Sequence, residues 1–330
     1  YGAIGNVWFR YYNLLVAEAI TTSGQLAIRY IEHTLNQYLN KILNTRGEDY
    51  IIASDTDSVY ITFDNLVSKV FVSDTDDNKI VEFLDRVAKE KLEPFIDKSY
   101  QDLAEYVNAY EQKMQMKREV IANKGIWVAK KRYILNAHDV EGVRYKEPKL
   151  KIMGVEAVKS STPAACREKI KDALKIIMTK DNQELNSFIQ DFRKDFMDLK
   201  PELIAYPRSV NGLNKWTESH NLFKKGAPIH CKGAILYNHL LQDKKLQNKY
   251  PYIQEGDKIK FLHMKTPNVY QSTSISFMTK LPNELNLHNF IDYDMQFEKS
   301  FVEPLKFITD IIRWQIDSSY GTQGTLEGFF

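Results

Sequence analysis

Apolar residues recur at helical spacing from Leu14 and Leu15 through Ala19, Leu26, Ile28, Ile31, Leu35, Leu39 and Ile42, and then stop. Two β-rich runs follow at once, Tyr50-Ile51-Ile52 and Val59-Tyr60-Ile61, on either side of Ser54-Asp55-Thr56-Asp57-Ser58. The pattern predicts a helix over 7–43, broken near Thr21-Thr22-Ser23-Gly24, leading into a hairpin with an acidic tip. The front of the chain therefore mixes helices with short strands. Only 14 Gly and 10 Pro in 330 residues leave few turn formers, which favours long helices over many short strands.

Composition narrows the class. Hydrophobic residues make up 43% and charged residues 27%, which excludes collagen-like, disordered and coiled-coil-only chains. No apolar run approaches the roughly 18 residues of a membrane helix, and no signal-peptide pattern opens the sequence. Cys166 and Cys231 are isolated, so neither a disulfide framework nor a zinc site is supported, and a reduced cytoplasmic setting fits. Tyr1-Gly2-Ala3 runs straight into apolar sequence, as if the chain began inside an element of something larger.

The net charge of +2 conceals an uneven distribution. Residues 1–110 hold 10 Lys and Arg against 17 Asp and Glu, whereas 111–151 hold 11 against 5. Residues 224–265 carry nine Lys against three acids. An acidic block beside basic ones suits a molecule that gathers metal ions in one place and phosphates in another. For any single Lys, solvated surface is the alternative.

Further along, 80–110 reads as helix, and 126–137 and 149–153 as strands with a polar turn at Asp139–Gly142. Thr162 followed by Pro163 predicts an N-cap and first helical residue. The helix then runs to about 199 with Leu185, Phe188, Phe192, Phe196 and Leu199 as a core stripe. Residues 200–290 read as short strands and loops and 291–314 as a last helix, with a division near 155.

The sharpest chemistry lies at Asp55 and Asp57. Two carboxylates one residue apart at a hairpin tip, completed by a third from elsewhere, can bind two divalent cations ~4 Å apart and serve phosphoryl or nucleotidyl transfer. All-oxygen ligands suit Mg²⁺. An ordinary polar turn is the alternative. The same tetrapeptide recurs at Ser73–Asp76 without flanking strands, where it reads as a surface loop; Lys79 stands where a calcium loop needs Gly. Glu119 alone reads as a surface ion-pair partner. Lys130-Lys131-Arg132-Tyr133 offers cations for phosphates and a ring for a sugar or base, and if the run is strand-borne, Lys131 and Tyr133 share a face.

Together these pieces resemble family B DNA polymerases, most closely those of T-even-like bacteriophages. Tyr1-Gly2 with Gly5–Tyr12 resembles the motif that closes the fingers and enters the palm, and Asp55-Thr56-Asp57-Ser58 the palm motif with metal-binding aspartates. Lys117-Arg118-Glu119 resembles the segment holding an auxiliary active-site carboxylate, and Lys130-Lys131-Arg132-Tyr133 the motif gripping the primer end. Lys151–Gly154 and Ser160–Pro163 resemble the passage from palm to thumb; Pro228, His230, Lys232, Gly233 and Tyr237-Asn238 resemble a thumb segment near duplex DNA. One departure is Ala53-Ser54 where the family usually has Tyr-Gly.

The resemblance implies an α+β fold: a palm with an antiparallel sheet, a catalytic hairpin and packed helices, then a mainly helical thumb with a small strand-containing tip. Residues 1–155 would be the end of the fingers motif and the palm, 156–322 the thumb. Asp55, Asp57 and Glu119 would be catalytic, the two aspartates holding two Mg²⁺ ions. Tyr1 and Gly2 would flank the nascent base pair in the dNTP pocket. Lys130, Lys131, Arg132, Tyr133, His230 and Lys232 would contact primer-template DNA. The exonuclease, the fingers and the other palm aspartate would lie in an upstream polymerase portion, without which this chain is expected to be inactive. The setting implied is the cytoplasm of an infected bacterial host, with no membrane partner.

The tail Gln323-Gly324-Thr325-Leu326-Glu327-Gly328-Phe329-Phe330 spaces Gln323, Leu326, Phe329 and Phe330 for one turn into an apolar pocket. It resembles the peptide by which replication proteins hold a sliding clamp; docking on its own domain is the alternative. Two rival functions remain beside the polymerase: a non-catalytic subunit binding primer-template and clamp, and a metal-dependent nuclease using the same carboxylates.

Overall fold

The computed structural model describes residues 1–72, 75–218 and 222–317. The chain divides into two compact units, Tyr1–Lys151 and Ile152–Phe330. Both mix helices with small antiparallel pairings, in keeping with an α+β fold.

The first unit is organised around α1, Leu14–Leu43. Asn13 caps its start by accepting from the Val16 N–H, and Asn44, at φ 54°, ends it in the left-handed region that Asn tolerates. The helix begins later than the apolar pattern suggests, and it is not interrupted at Thr21–Gly24. Thr21 and Thr22 turn their hydroxyls back onto the Glu18 carbonyl, 2.9 and 2.5 Å away, so the polar side chains are satisfied within the helix.

The acidic hairpin follows as β1 (Ile51–Asp55) and β2 (Ser58–Ile61). Next come α2 (Asp64–Val70), α3 (Asp77–Val87), a π-helical turn over Ala88–Leu92 and α4 (Glu93–Tyr106). The core joins one face of α1 (Ala27, Ile31, Leu35, Leu39) to Leu92, Ile96, Tyr100 and Leu103, with Tyr50 at the foot of the hairpin. Tyr38 stacks on Phe95 with ring centroids 4.0 Å apart.

A three-stranded sheet completes this unit: β3 (Val120–Ala129), β4 (Arg132–Val140) and β5 (Val143–Met153), with β4 central. The expected single strand over 126–137 is thus two strands. They reverse at Lys130-Lys131, where Lys131 sits at φ 60°. Turns of this kind normally advertise themselves with Gly or Asn; two lysines give no such signal. Consequently Lys131 lies in the turn and does not share a strand face with Tyr133.

In the second unit α5 (Ala164–Thr179) and α6 (Asn182–Met197), 16 residues each, are separated at Lys180-Asp181, where Asp181 caps α6 by accepting from the Glu184 N–H. Pro163, not Thr162, occupies the cap position of α5; the Thr162 hydroxyl donates to the Glu156 carbonyl at 2.8 Å. The stripe behaves as core, with Leu185, Phe192 and Phe196 buried. Then come α7 (Pro201–Ile204), β6 (Tyr206–Ser209), α8 (Leu213–Trp216), α9 (Ile229–Asp243), β7 (Lys258–His263) and β8 (Ser274–Phe277), with β7 central in its sheet. The chain closes with α10 (Tyr293–Phe297), a π-helical turn and α11 (Glu303–Thr309). Phe297 and Phe301 from this last run meet Phe196 and Phe192 edge to face at 5.1 and 4.7 Å.

The 15-residue α9 lies where the sequence predicts short strands and loops. Its eight buried residues spread over more than one face, so the helical period is hard to see. Gly233 lets it approach β8. A Cβ there would sit 2.6 Å from the Ser276 hydroxyl and 2.7 Å from the Ser276 amide nitrogen. Backbone cannot step aside, so Gly233→Ala is expected to destabilise this unit by about 3 kcal/mol, read by urea unfolding; a change below ~1 kcal/mol would mean that α9 can slide.

Candidate active site

The acidic tip is held from below by α1. Asn36 and Asn40, four residues apart, face the segment that leads into β1. Asn36 accepts from the Tyr50 N–H at 2.8 Å and donates to Asp49 at 2.8 Å. Asn40 donates to the Glu48 carbonyl at 2.7 Å and accepts from the Glu48 N–H at 3.0 Å. These two amides fix the entry to the hairpin and were passed over in the sequence; their helical spacing is the signal that could have found them.

At the tip Asp55 pairs with Ser58 across a two-residue turn. The Asp57 N–H donates to the Asp55 carbonyl at 2.6 Å, closing a three-residue γ-turn on Thr56, which is held at φ 55°. A β-branched residue at positive φ costs of order 1–2 kcal/mol. The Thr56 hydroxyl donates to Asp55 Oδ1 at 3.0 Å and the Ser58 hydroxyl to the Asp55 carbonyl at 3.1 Å. Asp55 is half-buried. Asp57 is exposed, and among the described residues its carboxylate accepts no hydrogen bond and has no ion pair.

An aromatic cluster sets the hairpin against the β3–β4 turn. Tyr60 of β2 meets Trp127 and Tyr133 edge-on at 5.3 and 5.4 Å. Gly125 makes room for this, since a Cβ there would lie 2.6 Å from the Trp127 ring. Beside the cluster is a cleft of about 200 Å³ lined by Ala53, Ser54, Asp55, Tyr60, Trp127, Ala129, Lys130, Lys131 and Tyr133. Lys131 Nζ stands 3.8 Å from Asp55 Oδ1. Burial raises the Tyr133 hydroxyl pKa strongly, helped by its hydrogen bond with Tyr60 and by the charges of Glu119 and Asp55. Tyr100 of α4 is likewise raised, by burial and then by the charge of Asp57.

The predicted residues are thus brought together in part. Asp55, Lys130, Lys131 and Tyr133 line one cleft. Tyr133 is only 6% exposed, so little of its ring is open to solvent. Arg132 opens β4 opposite Ala129. Glu119 is exposed and ion-paired with Lys151, and among the described residues no three His, Cys, Asp or Glu gather to hold a metal. Tyr1 and Gly2 lie in an exposed turn in the same unit. His230 and Lys232 belong to α9 in the other unit. Burial and the Arg208 charge lower the His230 pKa, and the Lys232 ammonium sits 5.6 Å from the Phe223 ring centroid. Gln323, Leu326, Phe329 and Phe330 lie outside the described residues.

The repeated tetrapeptide resolves by context. Asp76 caps α3 by accepting from the Asn78 N–H at 3.1 Å, while Asp55 and Asp57 crown a hairpin.

The family model for divergent family B DNA polymerase matches residues 43–291, which takes in the acidic hairpin, the lysine turn and most of the second unit. The chain belongs to that family. The DNA-directed DNA polymerase of Escherichia phage RB69 is 39% identical over 94% of this chain and 35% of its own length. That of Enterobacteria phage T4 is 36% identical over 92% of this chain and 35% of its own length. The chain therefore spans about a third of the curated relatives it matches. Among the described residues no helix is long and apolar enough to cross a membrane.

Proposed function

We propose that this chain is the palm and thumb portion of a replicative DNA-directed DNA polymerase, with 1–155 as the end of the fingers motif and the palm, 156–322 as the thumb and 323–330 as a clamp-binding tail. The observation that carries the reading is the pair Asp55 and Asp57 on a strained, pinned turn that shares its edge with Lys130 and Lys131. The DNA-directed DNA polymerase activity of the two phage relatives points the same way.

In the reaction a primer 3′-oxygen forms a bond to the α-phosphorus of a dNTP, the bond from that phosphorus to the β-phosphate oxygen breaks, and pyrophosphate leaves. The donor set fits a hard divalent cation: Asp57 offers free carboxylate oxygens and Asp55 already keeps a cationic neighbour, the Lys131 ammonium. Two Mg²⁺ ions, when bound, would lower the hydroxyl pKa and offset charge developing on the phosphates. Asp57 is the main ligand and Asp55 the second, with a further aspartate supplied by the upstream portion. Lys130, Lys131 and Arg132 meet primer phosphates, and Tyr133 borders the primer end. Glu119 is an auxiliary carboxylate, Tyr1 and Gly2 border the dNTP pocket, and His230 and Lys232 contact the duplex through α9. Phosphate contacts bind without sequence preference and weaken steeply with salt.

The test is Mg²⁺-dependent primer extension by this chain with the upstream portion supplied. Template-directed addition is expected. Tight duplex binding with no addition would instead leave a DNA- and clamp-binding subunit. Deleting 323–330 is expected to shorten the products made per binding event in the presence of the clamp, with single-nucleotide addition unchanged; equal loss of both would remove the tail from clamp binding.

A further inference from the structure

We propose that Lys131 is a counter-ion of Asp55 that is handed over to DNA when a divalent cation takes its place, so that cation binding at the hairpin and duplex binding at the lysine turn strengthen each other. The inference rests on the reading of the hairpin as a cation site beside a DNA path, and adds a coupling between the two.

The geometry is asymmetric. Of the two hairpin carboxylates, Asp57 has no ionic partner among the described residues, whereas Asp55 has Lys131 at 3.8 Å. Of the two turn lysines, Lys130 has no ion pair among the described residues, whereas Lys131 is engaged. The Lys131 side chain is 62% exposed and that of Asp55 26%, so the ammonium reaches into the cleft from solvent and can swing out again without opening a core. Its backbone cannot follow freely, because the two-residue turn fixes Lys131 at φ 60° between paired Ala129 and Arg132. One ammonium cannot neutralise the Asp55 carboxylate and a phosphate at once. Without a cation the Asp55 charge competes with DNA for Lys131; with its charge met by a cation, Asp55 lets go.

Reciprocity then requires that DNA, by drawing Lys131 away, exposes Asp55 and tightens cation binding by the same factor. An exposed pair is weak, which caps the coupling at about two- to fivefold. A larger factor would need a more buried pair than this one.

The experiment measures binding of a fluorescent primer-template duplex to the full chain by anisotropy, with and without Ca²⁺ at constant ionic strength. Ca²⁺ also condenses on DNA and weakens every phosphate contact, so Lys131→Met supplies the baseline. Relative to that variant, the wild type is expected to gain about two- to fivefold in affinity on adding Ca²⁺, and its salt slope to steepen by about one. Asp55→Asn should tighten duplex binding without Ca²⁺, and this gain should shrink in the Lys131→Met background. An identical Ca²⁺ response in wild type and Lys131→Met, with both binding DNA, overturns the coupling and leaves the functional reading standing. Absence of duplex binding in every condition overturns both.

Discussion

Asp57→Ala is expected to lower nucleotide addition by about a thousandfold or more in the completed enzyme, the scale on which a single charge-stabilising group shows in catalysis, while duplex affinity changes by no more than a few-fold. The separation of the two effects follows from where Asp57 sits. It is exposed and makes no side-chain hydrogen bond or ion pair among the described residues, so its removal strands no partner. Its backbone N–H, which closes the γ-turn, survives substitution. Stability should therefore stay within about 0.5 kcal/mol of wild type. Asp76→Ala is the matched control: it removes a helix cap, costing about 1 kcal/mol, and should leave addition intact. Retained addition in Asp57→Ala, or loss of duplex binding together with addition, would mean that Asp57 is part of the scaffold and not of the chemistry.

The contrast between Asp57 and Asp76 shows how much of the site the sequence carried. One tetrapeptide occurs twice, and the flanking β-rich runs alone distinguish the copy on a hairpin from the copy at a helix start. The acidic tip, the long first helix and the aromatic stripe of α6 were all legible because each has a strong period or a charged punctuation mark. What was not legible has two physical causes. The Lys130-Lys131 reversal uses residues without turn preference, with Lys131 held in a left-handed conformation by the strands and aromatic cluster around it. The helix α9 hides its period because its buried residues spread over more than one face. The uninterrupted α1 overrides four weak helix formers by bonding two of their hydroxyls to its own carbonyls. In the first two cases tertiary context, which no local window contains, decides the outcome; in α1 the rescue is local, through carbonyls three and four residues back.

Tertiary context also decides for Arg118, whose sequence context gave no hint that it ties β4 to α3. Its guanidinium is 9% exposed and bridges Asp139 of β4, itself 3% exposed, to Asp85 of α3 at 2.6 Å. Its backbone N–H donates to Glu93 of α4 at 3.0 Å, and the next residue, Glu119, is tied through its carbonyl to the Glu141 N–H. Arg144 and the Gly142 N–H add to the hold on Asp139 at 3.3 and 3.0 Å. Arg118→Met is expected to destabilise the first unit by about 3 kcal/mol, since it leaves a buried carboxylate without its main partner. Hydrogen exchange of the β3–β5 amides reads this locally. Asp139→Asn added to Arg118→Met should recover part of the loss, because it removes the stranded charge; strict additivity would show that the pair does not interact. The acid response gives a second, independent reading. Burial opposes ionisation of Asp139, but the Arg118 hydrogen bond and charge, with Arg144 and Gly142, hold its carboxyl below the usual range. Asp85 is held low as well, first by Lys89 and, against the cost of burial, by Arg118. Carboxyls lowered by folding contribute stability that is present above the ordinary value of about 4 and is lost as pH falls through the lowered one. The wild type should thus weaken steeply below about pH 4, whereas Arg118→Met, already without the pairing, should show a shallower decline. Parallel acid profiles in the two proteins would place the stabilising contacts of this segment elsewhere.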